Sequence, residues 1–281
     1  MSLNHDITGV DGEPAERSWT ETDVLLYALA VGAGQEDPLA ELEFTTENSS
    51  GLTLKVLPTF GNLISGGAGR RNLGDFDPAS LVHGEQAFTL HRPLPLAGTS
   101  RSVSRVTGIY DKGSGALVVT ESTAVDAATG EPLVTTRSSA FIRGEGGFGG
   151  SRGPRPDFEL PSRPADEQVT YRIRADQALL YRLTGDRNPL HSDPKFAARG
   201  GFDRPILHGM CTYGYTGRAL LHAVCGSDPA RFTSMEGRFT RPVMPGSELT
   251  ISIWGEDGTA YFRTTSDGAP VIDMGRLTFT S

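Results

Sequence analysis

Apolar and polar residues alternate through 117–125, 133–141, 249–254 and 271–279. That period of two sends successive side chains to opposite faces of a strand. Asp257-Gly258 and Asp267-Gly268 punctuate the last of these runs and predict hairpin turns between antiparallel strands. The spacing changes over Met210–Val224, which predicts one long buried helix. Gly214 and Gly217 lower helix propensity there, so a close backbone approach, to the sheet, is expected around them. A shorter helix is predicted over 176–184, with Leu179, Leu180 and Leu183 on one face and Gly185 ending it. A long helix followed by antiparallel strands is an α+β pattern.

The chain also echoes itself. Leu25-Leu26-Tyr27-Ala28-Leu29 is answered by Leu179-Leu180-Tyr181-Arg182-Leu183, Leu81-Val82-His83-Gly84 by Ile206-Leu207-His208-Gly209, and Arg92-Pro93-Leu94-Pro95 by Arg241-Pro242-Val243-Met244-Pro245. The common order points to a duplicated unit. Between the copies, the Gly-rich run 143–154 continues into Pro156, Pro161 and Pro164, a linker composition. The expected division is residues 1–143, a linker over 144–165, and residues 166–281.

Composition narrows the function classes. At 281 residues and 37% hydrophobic content the chain has ample material for real cores. A net charge of −8 argues against a broad nucleic-acid or anionic-membrane surface and confines any anion site to a local pocket. No run has the length of a transmembrane helix, and Met1–Glu16 is polar and acidic rather than signal-like. Cys211 and Cys225 fall on the one predicted long helix, about 21 Å apart at 1.5 Å per residue, too far to bridge, so both are expected to be reduced. The histidines show no metal-ligand spacing, and no metal is expected.

Chemistry concentrates in Asp186-Arg187-Asn188-Pro189-Leu190-His191, which puts a carboxylate, an amide and an imidazole on one loop just past a helix end. Pro189 stiffens it. For these six residues alone two readings stand: ordinary Asp/Asn turn chemistry, or a grip on a water molecule. The continuation Ser192-Asp193-Pro194-Lys195-Phe196-Ala197-Ala198 and then Pro205-Ile206-Leu207-His208-Gly209-Met210 is not required by a turn. The whole stretch 181–209 closely resembles the signature of the (R)-specific type 2 enoyl-CoA hydratases, relatives of the MaoC dehydratases. Leu57-Pro58-Thr59-Phe60-Gly61, His83-Gly84-Glu85-Gln86, Asp111-Lys112-Gly113-Ser114-Gly115 and Gly146-Gly147-Phe148-Gly149-Gly150 extend the match, which is nearest to the hydratase domain of the peroxisomal type 2 multifunctional enzymes.

The resemblance implies a tandem hotdog fold, each unit an antiparallel sheet curved around a helix. The first copy is degenerate, because Ala30-Val31-Gly32-Ala33-Gly34 stands where the second carries its catalytic loop. It further implies Asp186 and His191 as the catalytic pair, Asn188 as their partner and the Gly209 N–H as oxyanion donor. His83, Gly84, Lys112 and Phe239, with Arg187, Pro189 and Leu190 of the loop, would line the thioester. The family reaction is reversible hydration of a trans-2-enoyl-CoA to the (3R)-3-hydroxyacyl-CoA without metal or redox cofactor, CoA being part of the substrate. Read without the family, Lys112 is a solvated hairpin residue and Phe239 a core residue. His208 is assigned no catalytic role, and the arginines at 70, 71, 152 and 155 are read as solvated surface charge.

A (3R)-hydroxyacyl thioester dehydratase of fatty-acid or polyketide synthesis is the alternative, with a hotdog thioesterase or a non-catalytic acyl-CoA binder behind it. The expected partners are an acyl-CoA thioester or, as the alternative carrier, an acyl carrier protein, with no nucleic acid and no membrane insertion. A homodimer is the open assembly state. The ending Thr278-Phe279-Thr280-Ser281 lacks a Ser-Lys-Leu-type address, so a stand-alone bacterial cytoplasmic enzyme is expected.

Overall fold

The computed structural model describes residues 3–65, 72–154 and 157–280; Arg70, Arg71, Arg155 and Pro156 lie outside them. Ten strands form one sheet: β1 (Ala15–Trp19), β2 (Leu81–Leu90), β3 (Gly98–Asp111), β4 (Gly115–Asp126), β5 (Pro132–Arg143), β6 (Glu167–Arg172), β7 (Phe232–Phe239), β8 (Glu248–Glu256), β9 (Thr259–Ser266) and β10 (Ala269–Phe279). The four alternating segments fall inside β4, β5, β8 and β10. Asp267 and Gly268 join β9 to β10 with φ of 49° and 75°, the left-handed pair that a tight hairpin of the right twist needs.

The strand order is β1-β3-β4-β5-β2-β7-β10-β9-β8-β6. Read from its two ends it gives the same sequence of elements, β1-β3-β4-β5-β2 and β6-β8-β9-β10-β7. Two copies of one unit therefore meet along β2 and β7, which pair antiparallel from Glu85↔Arg238 to Thr89↔Ser234. The tandem unit expected from the sequence is present, with the two sheets fused into one.

Of the three sequence echoes, two occupy equivalent places. Arg92-Pro93 follows β2 as Arg241-Pro242 follows β7, and Tyr27 and Tyr181 sit on equivalent helices with ring centroids 6.4 Å apart. The third does not. Leu81-Val82-His83-Gly84 opens a strand, whereas Ile206-Leu207-His208-Gly209 leads into a helix.

Among the described residues six α-helices accompany the sheet: α1 (Glu21–Ala30), α2 (Leu42–Thr45), α3 (Gly61–Ile64), α4 (Gln177–Tyr181), α5 (Pro194–Arg199) and α6 (Gly209–Cys225). Helix α6 packs on β6, β7, β8 and β10, and both Cys211 and Cys225 are buried free thiols on it. Its counterpart in the first half is only the 3₁₀ turn Pro58–Phe60 running into the four residues of α3. Consequently α6 serves both halves, and one core cluster runs from Trp19, Tyr27 and Phe60 through Tyr213 and Leu220 to Phe262 and Leu277.

This corrects the reading of Gly214 and Gly217. A Cβ on Gly214 would collide with Val31 and one on Gly217 with Thr59, so the close approach is chiefly by the loop after α1 and by the Pro58 turn, not by the sheet. The degenerate segment 30–34 is the packing surface for α6.

The helix predicted over 176–184 is also corrected. Helix α4 stops at Tyr181 and continues as a 3₁₀ turn, Arg182–Thr184, and its buried side carries Gln177, Ala178 and Tyr181 while Leu179 and Leu183 are exposed. The reason is hydrogen bonding. Gln177 donates from Nε2 to the Ala30 carbonyl at the end of α1 (2.7 Å) and accepts from the Tyr215 hydroxyl (2.9 Å), so a fully buried amide makes two hydrogen bonds that a leucine could not. Over 144–165 the described residues form neither strand nor helix, yet the stretch is held at its start: Asp111 accepts the N–H groups of Gly147 and Gly149 at 2.9 and 2.8 Å.

Candidate active site

The loop after α4 begins at Gly185, whose φ of 129° takes the chain out of the 3₁₀ turn. Asp186 Oδ1 accepts the Asn188 N–H at 3.1 Å, and Asn188 Oδ1 accepts the Leu190 N–H at 3.0 Å, capping a second 3₁₀ turn, Pro189–His191. Turn chemistry and catalytic potential thus coexist. One carboxylate oxygen and the amide oxygen hold the backbone; the other carboxylate oxygen and the Asn188 amino group remain for a ligand. The turn then delivers His191 inward, where its ring is buried.

His191 Nδ1 lies 2.9 Å from the Ile206 carbonyl. A carbonyl only accepts, so Nδ1 carries the hydrogen and Nε2 presents a lone pair. Burial holds the His191 pKa below its ordinary 6.5, against the Ile206 hydrogen bond and the Asp186 charge, and a neutral ring with a basic Nε2 results.

His208 joins this group, although the sequence reading gave it no part. Its ring stacks on His191 with centroids 3.8 Å apart and planes 28° apart, and Tyr181 covers its other side at 4.9 Å. His208 Nε2 donates to the Asp186 carbonyl at 3.3 Å, which leaves Nδ1 buried and without a partner. Burial first, and then the neighbouring His191, push its pKa down to about 4. Donor atoms of Asp186, His191 and His208 all lie within 4.8 Å of one another. Two stacked imidazoles and a carboxylate at this spacing are close enough to exchange protons or to meet a cation. No spacing in the sequence could show which way the His208 ring turns.

Gly209 opens α6, where the first N–H groups have no intrahelical acceptor. A Cβ there would come within 3.3 Å of the Phe239 ring, so glycine lets that ring lie against the helix start. The Phe239 ring, at the end of β7, meets the His83 ring of β2 at 4.7 Å. His83, Asp186, Asn188, His191, Gly209 and Phe239 all line one cavity of about 480 Å³. The first half contributes Leu73, Val118 and Ala140 to its lining together with the polar Thr120, Ser138, Ser139 and Arg143. Leu190 also lines it, whereas Arg187 and Pro189 are exposed and line no described cavity.

Lys112 is placed elsewhere. It lines a second cavity of about 670 Å³, with Tyr110, Arg137, Phe158, Arg238 and Arg276, and the two cavities share Ser138 and Ser139 of β5 in their walls. Arg238 is paired with Glu85, and Arg137 and Arg276 with Glu236. The Lys112 ammonium donates to the Arg152 carbonyl and forms no ion pair among the described residues. Gly84 sits at the bulge between His83 and Glu85, where a Cβ would press on the Ser139 hydroxyl. Thr212, passed over in the sequence, also lines the first cavity.

A model of the MFE-2 hydratase 2 N-terminal domain matches residues 18–144, and one of the MaoC like domain matches 157–272. The chain is 46% identical to a 3-hydroxyacyl-thioester dehydratase Y of Mycobacterium tuberculosis, over 99% of each chain. It is 43% identical to an enoyl-CoA hydratase, ChsH3, of the same organism, over 97% of each. The crystal structure of a MaoC-like dehydratase from Phytophthora capsici superposes with a TM-score of 0.86 at 31% identity, covering 99% of this chain and 98% of that one. At the level of fold alone, a Mycobacterium tuberculosis protein described as having a double hotdog fold superposes with a TM-score of 0.57 at 14% identity, covering 95% of each chain.

Proposed function

The chain belongs to the family of MaoC-like and type 2 enoyl-CoA hydratases, and on that premise we propose that this hydro-lyase reversibly adds water to a trans-2-enoyl-CoA, giving the (3R)-3-hydroxyacyl-CoA. The observation that carries the reading is that Asp186, His191 with its Nε2 lone pair and Gly209 at the start of α6 line one cavity, together with apolar residues of both halves.

In this reading the thioester carbonyl oxygen accepts the Gly209 N–H at the positive end of α6, which polarises the conjugated system. A water donates to the free Asp186 oxygen and to His191 Nε2. Its oxygen bonds to C3 while the C2=C3 electron pair shifts to give an enolate at C1–O. The Asp186/His191 pair takes one proton from the water and returns one to C2 as the enolate collapses, so the enzyme ends unchanged. Dehydration is the same path reversed. The apolar residues Leu73, Val118 and Ala140 receive the acyl chain, in space that the shortened helix of the first half leaves over the sheet.

The second cavity suits the nucleotide end of CoA. Three of its cations are already paired with carboxylates, but Lys112 is not, so its ammonium charge is available to a phosphate.

Chiral analysis of the product from crotonyl-CoA and water tests the reading: the 3R alcohol is expected, and a 3S product would refute it. Release of free CoA thiol in place of a hydrated thioester would instead establish a thioesterase.

A further inference from the structure

Thr212 stands in the first turns of α6, is 2% exposed and lines the catalytic cavity. Its hydroxyl oxygen is buried and has no hydrogen-bond partner. A threonine inside a helix ordinarily satisfies its hydroxyl on a carbonyl of the preceding turn. Thr216 does so, reaching the Thr212 carbonyl at 2.9 Å. Thr212 does not, and the His208 carbonyl that would serve it already accepts two N–H groups, from Cys211 at 3.1 Å and from Thr212 itself at 3.3 Å. An orphaned hydroxyl in a buried wall lowers stability, so its presence calls for a partner from outside the protein.

Gly209 and Thr212 are three residues apart and share a helix face, and helical side chains lean toward the N-terminus. A Thr212 side chain leaning that way points toward Gly209, beside the Phe239 ring that lies against the helix start. We propose that the Thr212 hydroxyl is a second hydrogen-bond donor to the thioester carbonyl oxygen, beside the Gly209 N–H. It keeps its proton throughout. The bond strengthens as the C2=C3 pair moves toward that oxygen, and it weakens again as C2 is protonated and the carbonyl re-forms. This assignment rests on the hydration reading above.

The test compares Thr212→Val, which keeps the shape and removes the hydroxyl, with Thr212→Ser, which keeps the hydroxyl. Both are assayed with crotonyl-CoA for kcat and KM, and both are melted without ligand. T212V is expected to lose about 10²-fold in kcat, the usual effect of removing one such donor, with KM little changed. Its Tm should hold or rise, because the group removed has no partner in the free protein, and T212S should keep kcat within a few-fold of wild type. A T212V enzyme with near-normal kcat overturns the proposal, as does a loss of kcat that follows a fall in Tm and is not rescued by serine. If the wild-type protein itself hydrates no enoyl-CoA, the underlying function is wrong and this assignment falls with it, an outcome visible before any variant is made.

Discussion

At the scale of single residues, the loop 186–191 lets turn formers also face a cavity, so turn chemistry and the proposed catalytic role are not competing descriptions. Asp186 and Asn188 each spend one oxygen on the backbone, and that expenditure fixes the direction in which His191 enters the cavity. Asp186→Asn or His191→Ala should each lower hydration about 10²- to 10⁴-fold, and the double variant should be little worse than either, since the pair handles one proton between them. Steady-state rates on the best enoyl-CoA substrate check this, and near-normal turnover in either single variant would sink the pairing. The sequence motif singled out the side chains that line this cavity because Asp186, Asn188 and His191 are close in the chain. It could not locate His208, whose part depends on a ring stack across sequence-distant segments.

His208 also makes a pH prediction. Its pKa in the fold, about 4, lies below the ordinary 6.5, so the unfolded chain binds its proton first as pH falls. The ring's contribution is whole above pH 6.5 and is lost as pH drops toward 4. His191 and His83, both lowered chiefly by burial, act in the same direction. Urea midpoints measured at pH steps through this window should fall for the wild type and fall less for His208→Gln. An equal slope in both proteins would mean that His208 is not held neutral.

At the scale of elements, the strands were legible and the packing partners of the helices were not. Period-two alternation marks β4, β5, β8 and β10 because each has one face on the core and one on solvent. For α4 the leucine spacing suggested the wrong face, because the buried position is set by a carbonyl at the end of α1 that needs a donor. Gln177→Leu, which the hydrophobic pattern alone would favour, should therefore destabilise the protein by about 1 kcal/mol, because it removes two buried hydrogen bonds and leaves the Ala30 carbonyl only the Cys211 thiol and the Tyr215 hydroxyl only Gln35. Denaturant melts decide it, and a more stable leucine variant would show that burial of apolar area outweighs the lost hydrogen bonds.

For the whole molecule, the duplication was readable from two of its three echoes, but the sharing of α6 was not, since nothing in a linear pattern says which half a helix belongs to. On the proposed reading the substrate is divided in the same way. If the first half holds the nucleotide of CoA, Lys112→Ala should raise KM for CoA thioesters more than for short pantetheine thioesters, and the difference should shrink as salt is added. Equal effects on both, insensitive to salt, would make Lys112 structural.

The mirrored strand order would allow two reaction centres per polypeptide, one at each end of the β2–β7 seam. Among the described residues the polar loop lines the cavity at the end where His83 meets Phe239. At the other, Ala30, Val31 and Ala33 are buried and their segment packs against α6, so a polar loop grafted there would first have to displace the helix on which the proposed centre depends. The two halves are therefore not interchangeable: one is foundation and the other is workplace, and a second centre could be built into the first only by dismantling what supports the other.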